Sequence, residues 1–332
     1  MIHRYVLSAI KKRDVQKTLE LIEHPGFDIN GSVNKVTSLI LASKLGLQSV
    51  VQRLVQKGAD LNTGDHEGRT ALAHACASGT ANVVRLLLQS GSKVNVVNTD
   101  GDEAIHECVN SGNIETLSVL LDYGVDVDHC NHIGYTPLML AVLSSYADVV
   151  TYLLHKGADV NRVTSEGDSA LHFAAQVASL DIIATLISSG CHCNKRNKMG
   201  ETPIAAAAAA NKVNVVQFLA LSGCNINSHC YISPLATACH SKHYDMVRCL
   251  LSEGYNVSRD DTVQHSIFWS MEEEEPELIE YVRYRASHPL SLKHICRLHV
   301  RCLLGIRLYQ VASKLEIPQI LKDFLVTSSI LS

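Results

Sequence analysis

The chain has 332 residues, 46% of them hydrophobic, 19% charged and 5% aromatic, with a formal net charge of −4. An acidic balance without clustered Lys and Arg excludes the electrostatic footprint of a nucleic-acid binder. Few aromatics among many Ala, Leu and Val fit packed helices better than a β-sandwich.

Residues before Asp28 read as a divergent capping repeat. From there a ruler runs along the chain. Glycines stand at 58, 91, 124, 157, 190 and 223, each 33 residues after the last, with Gly26 and Gly254 as outliers at either end. The residues that follow are alike: "GADLN", "GSKVN", "GVDVD", "GADVN", "GCHCN", "GCNIN". A second series, Gly68, Gly101, Gly134, Gly167 and Gly200, keeps the same step. Such self-similarity is the signature of a repeat architecture.

One unit, "GRTALAHACASGTANVVRLLLQSG", predicts a helix pair. Thr70 caps a short Ala-rich helix that runs to about Ser78. Gly79 breaks it. Val84, Leu87 and Leu88 form the buried stripe of a second helix, and Gly91 ends that helix in a conformation that costs a Cβ-free residue little. The pair cannot bury its own stripe, but stacked neighbours can. Register supports stacking. Leu39, Leu72, Ile105, Leu138, Leu171, Ile204 and Leu235 share one slot, and Ala42, Ala75, Cys108, Ala141, Ala174, Ala207 and Ala238 share another, where a small residue lets helices approach. The run Ala205–Ala210 is then an inner helix of the best helix former.

These units resemble ankyrin repeats, with a T-P-L-H-x-A signature seen as "TPLMLA" at Thr136, "SALHFA" at Ser169 and "TPIAAA" at Thr202, and more loosely at Thr70 and Ser233. Glu103 departs from it, standing where the cap should be. The resemblance covers about Asp28 to Ser258. It implies an all-α ankyrin-repeat solenoid, helix-turn-helix repeats with β-turn fingers, and makes His106 and His172 structural. The finger tips before the second glycine series differ from repeat to repeat: His66 and Glu67, Thr99 and Asp100, His132 and Ile133, Ser165 and Glu166, Lys198 and Met199. A packing role would demand sameness, so these are the candidate target-binding residues, with drift of exposed loops as the competing reading.

After Ser258 the ruler stops. Asp261–Ser287 reads as a degenerate terminal repeat, with Pro276 opening its second helix, Trp269 covering the last apolar face and Glu272–Glu275 as a solvated helix end. Next comes "SLKHICRLHV", with Leu292, Cys296 and Val300 at i, i+4 and i+8 and Ile295 beside them. A stripe of that kind must be covered by something. The forty or so residues of this tail are too few to fold unaided. The tail resembles a SOCS box. Ser291, Leu292, Ile295, Cys296 and Val300 match its BC box, which implies Elongin C binding. "LEIP", with Leu315, Ile317 and Pro318, matches its cullin box except that Glu316 replaces a proline. The expected organisation is an array over residues 1–258, a degenerate repeat or linker over 259–288, and a small three-helix SOCS box over 289–332.

An ankyrin array before a SOCS box resembles the ankyrin repeat and SOCS box family. The resemblance implies a non-catalytic substrate adaptor that joins a target protein to Elongin B/C and to Cullin-5 with its RING partner. A plain ankyrin scaffold, whose last helix packs back on the array, is the alternative. No phosphate-binding loop, nucleophile elbow or zinc-protease helix occurs, and no cofactor is implied. "CHC" at Cys191–Cys193 suggests a metal, but it occupies a repeat connection without a second ligand pair nearby in sequence. The start "MIHRYVLSAIKKRD" has an apolar run too short for a secretory signal, and no apolar stretch is long enough to span a membrane. The expectation is an intracellular protein, cytoplasmic or nuclear, whose eleven scattered cysteines are reduced.

Overall fold

A computed structural model describes residues 2–227, 233–260 and 275–288. The chain divides into two compact units, residues 1–165 and 166–332.

The first unit opens with α1 (Ile2–Lys11) and α2 (Val15–Ile22). Asp14 caps α2 by accepting the Lys17 amide at 3.0 Å. The strands β1 (Ser32–Val33) and β2 (Val36–Thr37) form an antiparallel hairpin, Ser32 facing Thr37 and Val33 facing Val36. Its two turn residues, Asn34 and Lys35, both have positive φ, as a tight primed turn requires. Four helix pairs follow: α3 (Ser38–Lys44) with α4 (Gln48–Gln56), α5 (Ala71–Ala77) with α6 (Ala81–Gln89), α7 (Ala104–Ser111) with α8 (Ile114–Leu121), and α9 (Pro137–Leu143) with α10 (Ala147–His155). The first helices of the pairs pack in one row, α3 on α5, α5 on α7 and α7 on α9; the second helices pack in another.

The second unit repeats the plan with α11 (Ala170–Val177) and α12 (Leu180–Ser188), α13 (Pro203–Ala209) and α14 (Val213–Leu221), and α15 (Pro234–His240) and α16 (Tyr244–Ser252). A short 3-10 turn, Val257–Arg259, packs against α17 (Pro276–Ser287), which buries Leu278, Ile279 and Val282. Pro276 stands at the start of α17 as expected. Glu275, the last of the acidic run, pairs with Arg248 of α16 at 2.7 Å. Trp269 lies outside the described residues.

The two shared slots explain the stacking. Every member of the small slot, from Ala42 to Ala238, is 0% exposed, and every member of the leucine slot is at most 2% exposed. The second helices contribute their own stripe; Leu54, Val84, Leu87, Leu120 and Leu153 are all 0% exposed. Full burial of one such side chain contributes about 1.5–3 kcal/mol.

Two sequence expectations change on inspection of the backbone. Gly26 is not an equivalent of Gly58. It lacks positive φ, and α2 ends at Ile22, three residues before Pro25, which cannot continue a helix. The turn within each helix pair, read from Gly79 as a glycine break, does not need glycine. Gly46, Gly79 and Gly112 are left-handed there, but so are Ser145, Ala178, Asn211 and Lys242 in the same slot. Packing of the flanking helices imposes a conformation that costs an L-residue about 1–2 kcal/mol.

Candidate functional site

Four of the five candidate fingers are built on an Asx side chain one residue before the tip. Asp65 Oδ1 accepts the amides of Glu67 and Arg69, both at 3.0 Å. Asn98 Oδ1 accepts those of Asp100 and Asp102, and Asn131 Oδ1 those of Ile133 and Tyr135. In the second unit Asn197 Oδ1 does the same for Met199 and Glu201. Asx side chains fold tight turns by replacing a backbone acceptor. The glycine three residues on closes each of these four turns with its own amide, as Gly68 does on Asp65 and Gly134 on Asn131.

Neighbouring fingers then join through their backbones. In the first unit the Thr99 amide donates to the Glu67 carbonyl (2.9 Å), His132 to Asp100 (3.0 Å) and Ser165 to Ile133 (3.0 Å). In the second, Lys198 donates to Glu166 (2.8 Å). The candidate tips are therefore the rungs of this pairing, with His66 and Met199 flanking it. Eight of the ten tip amides, all but those of His66 and Glu166, are seen bonded internally, and the tip side chains point outward. All are exposed except Glu67, which is half-buried because it bonds Arg69 and approaches His66 at 3.4 Å. Ile133 and Met199 are 53% and 58% exposed, large apolar groups left in water.

Asp65, Asn98, Asn131 and Asn197 recur on the same ruler as the glycines, and so does the last residue of each "GADLN"-like segment. These side chains link consecutive repeats: Asn62 accepts the Lys93 amide (2.9 Å), Asp128 that of Asp159 (3.0 Å), and Asn194 that of Asn225 (2.7 Å).

Beneath the first-unit fingers lies a buried polar layer. His74 Nε2 is 2.8 Å from Asp65 Oδ2. Burial works against charge on Asp65, but its hydrogen bonds to His74 and the Arg69 amide outweigh that and lower its pKa. Glu107 is pushed up by burial, with Arg69 opposing at 3.7 Å. Glu103 is also pushed up by burial, with His129 opposing at 3.6 Å. Glu103 keeps the cap position despite its identity, because its amide donates to His106 Nδ1 (3.1 Å), while His106 Nε2 reaches the Tyr135 carbonyl (3.3 Å). His172 repeats this pattern with the Ser169 amide (3.1 Å) and the Glu201 carbonyl (3.1 Å). Both histidines are fully buried structural pieces.

Burial lowers the pKa of His172 below its ordinary 6.5, against the opposing effects of the Glu201 carbonyl, Asp168 and Glu201. The unfolded chain therefore takes up a proton that the folded chain resists. The stability tied to neutral His172 is complete above pH 6.5 and is lost as pH falls through the lower folded value. Urea midpoints measured at pH 7.5 and at pH 5.5 should fall on acidification. In His172→Asn, the midpoint should be lower at both pH values but less sensitive to pH. An unchanged acid slope in that variant would remove His172 from the account.

Among the described residues no group of three or more His, Cys, Asp and Glu is arranged to hold a metal ion, and no helix is long and apolar enough to cross a membrane. Ser291, Leu292, Ile295, Cys296, Val300, Leu315, Glu316, Ile317 and Pro318 lie outside the described residues.

Comparison with known proteins agrees with the geometry. The ankyrin-repeats model matches in three copies, over residues 6–98, 90–164 and 160–230, and the single ankyrin-repeat model matches 230–262. The SOCS-box model matches residues 288–325. Among solved structures, the human ASB11 ankyrin repeat domain is 31% identical, with a TM-score of 0.58 over 65% of this chain and 96% of that one. The ankyrin repeat domain of Bcl-3, a member of the IkappaB family, is 32% identical, with a TM-score of 0.54 over 61% and 92%. No curated protein matches. The fold and the matches define an ankyrin-repeat protein that carries a SOCS box. The chain belongs to the ankyrin repeat and SOCS box family.

Proposed function

We propose that this chain is the substrate-recognition adaptor of an Elongin B/C–Cullin-5 RING ubiquitin ligase. The observation that carries the proposal is the SOCS-box match at residues 288–325, following ankyrin repeats in one chain. Ser291, Leu292, Ile295, Cys296 and Val300 would contact Elongin C; Leu315, Ile317 and Pro318 would contact the cullin. The adaptor performs no bond chemistry. It holds a target beside a charged ubiquitin carrier and raises the effective concentration of the target's lysines. The finger tips suit capture because their backbone is fixed while nearly all of their side chains face solvent.

Co-purification with Elongin B/C and the Cullin-5 N-terminal domain tests the ligase half. A chain that leaves both partners behind would be a scaffold without ligase recruitment. The capture half is tested by reversing the charge of three exposed tips, Asp100→Lys, Glu166→Lys and Lys198→Glu. Target recovery should be lost while each change shifts stability by no more than about 0.5 kcal/mol. Undiminished recovery would mean that the target binds elsewhere.

A further inference from the structure

The first helices of the first unit share a slot that holds Leu41, His74, Glu107 and Leu140 in successive repeats. Leu41 and Leu140 show that an apolar residue satisfies the packing there. The two polar members are treated differently. His74 Nε2 is 2.8 Å from Asp65 Oδ2. Glu107 is 8% exposed, yet among the described residues no hydrogen bond reaches its carboxylate. Arg69 Nη1 stands 3.7 Å from Glu107 Oε1, too far for a hydrogen bond. That guanidinium is bonded through Nη2 to Glu67, and its Nε is buried without a protein partner. A buried carboxylate so weakly paired is costly, and nothing in the stacking of the repeats requires it.

The surroundings are acidic. The bond from the Thr99 amide to the Glu67 carbonyl (2.9 Å) sets the finger that carries Asp100 and Asp102 against the one that carries Asp65, Glu67 and Arg69. Asp102 leads directly into α7, the helix of Glu107, which packs on α5 and α9. Asp102 accepts from Asn131 Nδ2 at 2.9 Å. Asp100 is an exposed tip whose carboxylate forms no ion pair among the described residues. Five carboxylates thus gather around one arginine, and two of them, Glu107 and Asp100, have no hydrogen-bond donor of their own.

We propose that Glu107 and Asp100 form a subsite for one basic side chain of the target, an Arg or a Lys. Its charged head supplies the donor that Glu107 lacks, and charge-assisted hydrogen bonds of this kind are the strong ones. Its aliphatic stem lies along Leu140, half-buried in the same slot of the next repeat. Burial raises the Glu107 pKa, and after the opposing Arg69 the charges of Asp102, Asp65 and Asp100 raise it further. A bound cation draws the carboxyl back to its ionised form. A neutral side chain in the same place leaves the carboxylate unpaired, and an acidic one is repelled, so the subsite selects as well as binds.

The subsite presupposes target capture by the fingers, as proposed above. In the test, random displayed peptides are selected on the full-length chain and the affinities of the retained ones are measured. They should share an Arg or a Lys. Replacing the Arg by citrulline, its neutral isostere, or the Lys by norleucine should weaken binding about thirtyfold. Glu107→Gln should weaken binding of the unaltered peptide about as much while keeping the parental circular dichroism. The two changes together should weaken it no more than either alone, because both remove one contact. Retained peptides without a shared basic residue, or losses that add, would overturn the subsite and leave capture by the fingers standing. Retention indifferent to the three tip charge reversals, or no retained peptide, would overturn both.

Discussion

Replacing Leu292 and Cys296 together by alanine is expected to abolish capture of Elongin C while leaving the repeats folded. On the SOCS-box reading these two side chains are neighbouring anchors of one apolar stripe, four residues apart. Buried apolar anchors near the centre of an interface carry most of its energy. Each truncation removes about 1–3 kcal/mol through lost burial and the cavity left behind. The pair together amounts to about a thirty- to twenty-thousand-fold weakening, enough to empty a pull-down. The repeat stack should be untouched, because its buried slots lie within the residues before the tail. The measurement is recovery of Elongin C by tagged parent and double variant, with circular dichroism as the folding control. Parental recovery by the variant would remove the BC-box assignment of Leu292 and Cys296, and with it the main support for ligase recruitment.

Most of the fold was legible because stacking makes each repeat obey the same packing demand. A leucine slot and a small slot recurring every 33 residues could be read without knowing any contact. The ruler failed where local chemistry reached the same geometry by another route. Gly26 sits near the expected spacing, yet Pro25 has already closed α2. Ser145 and Ala178 hold a left-handed turn that glycine advertises in three other repeats. Glu103 looked like a broken cap, but its own amide donates to His106 Nδ1, as the Ser169 amide does to His172, so this end of the helix is held through the histidine.

The site was legible in outline only. Variation between repeats singled out the tips, but it is blind to what fixes them, because the amides of the pairing carry no side-chain identity. Asp65 and Asn131 did carry a signal, an Asx residue at constant distance before the second glycine series.

The close pairing of fingers makes one glycine far more demanding than another with nearly the same backbone. Gly134 has φ +93° and Gly157 has φ +92°. A Cβ at Gly157 would meet nothing within 4 Å, so Gly157→Ala should cost only the left-handed conformation, about 1 kcal/mol. A Cβ at Gly134 would lie 2.8 Å from the Ser165 amide nitrogen and 3.0 Å from Thr164 Cα. Those atoms are backbone and have no rotamer to yield. They can retreat only by lengthening the bond from the Ser165 amide to the Ile133 carbonyl, now 3.0 Å. Overpacking adds about 1–3 kcal/mol, so Gly134→Ala should cost about 2–4 kcal/mol. Global unfolding of a repeat protein is not reliably two-state, so local hydrogen exchange is the sharper measurement. The Ser165 amide should exchange much faster in Gly134→Ala and at the parental rate in Gly157→Ala. Target capture should fall in the first variant alone if the fingers bind as a rigid set. Equal exchange of the Ser165 amide in both variants would mean that the adjacent finger yields freely, and that the pairing of tips does not fix the geometry a target would meet.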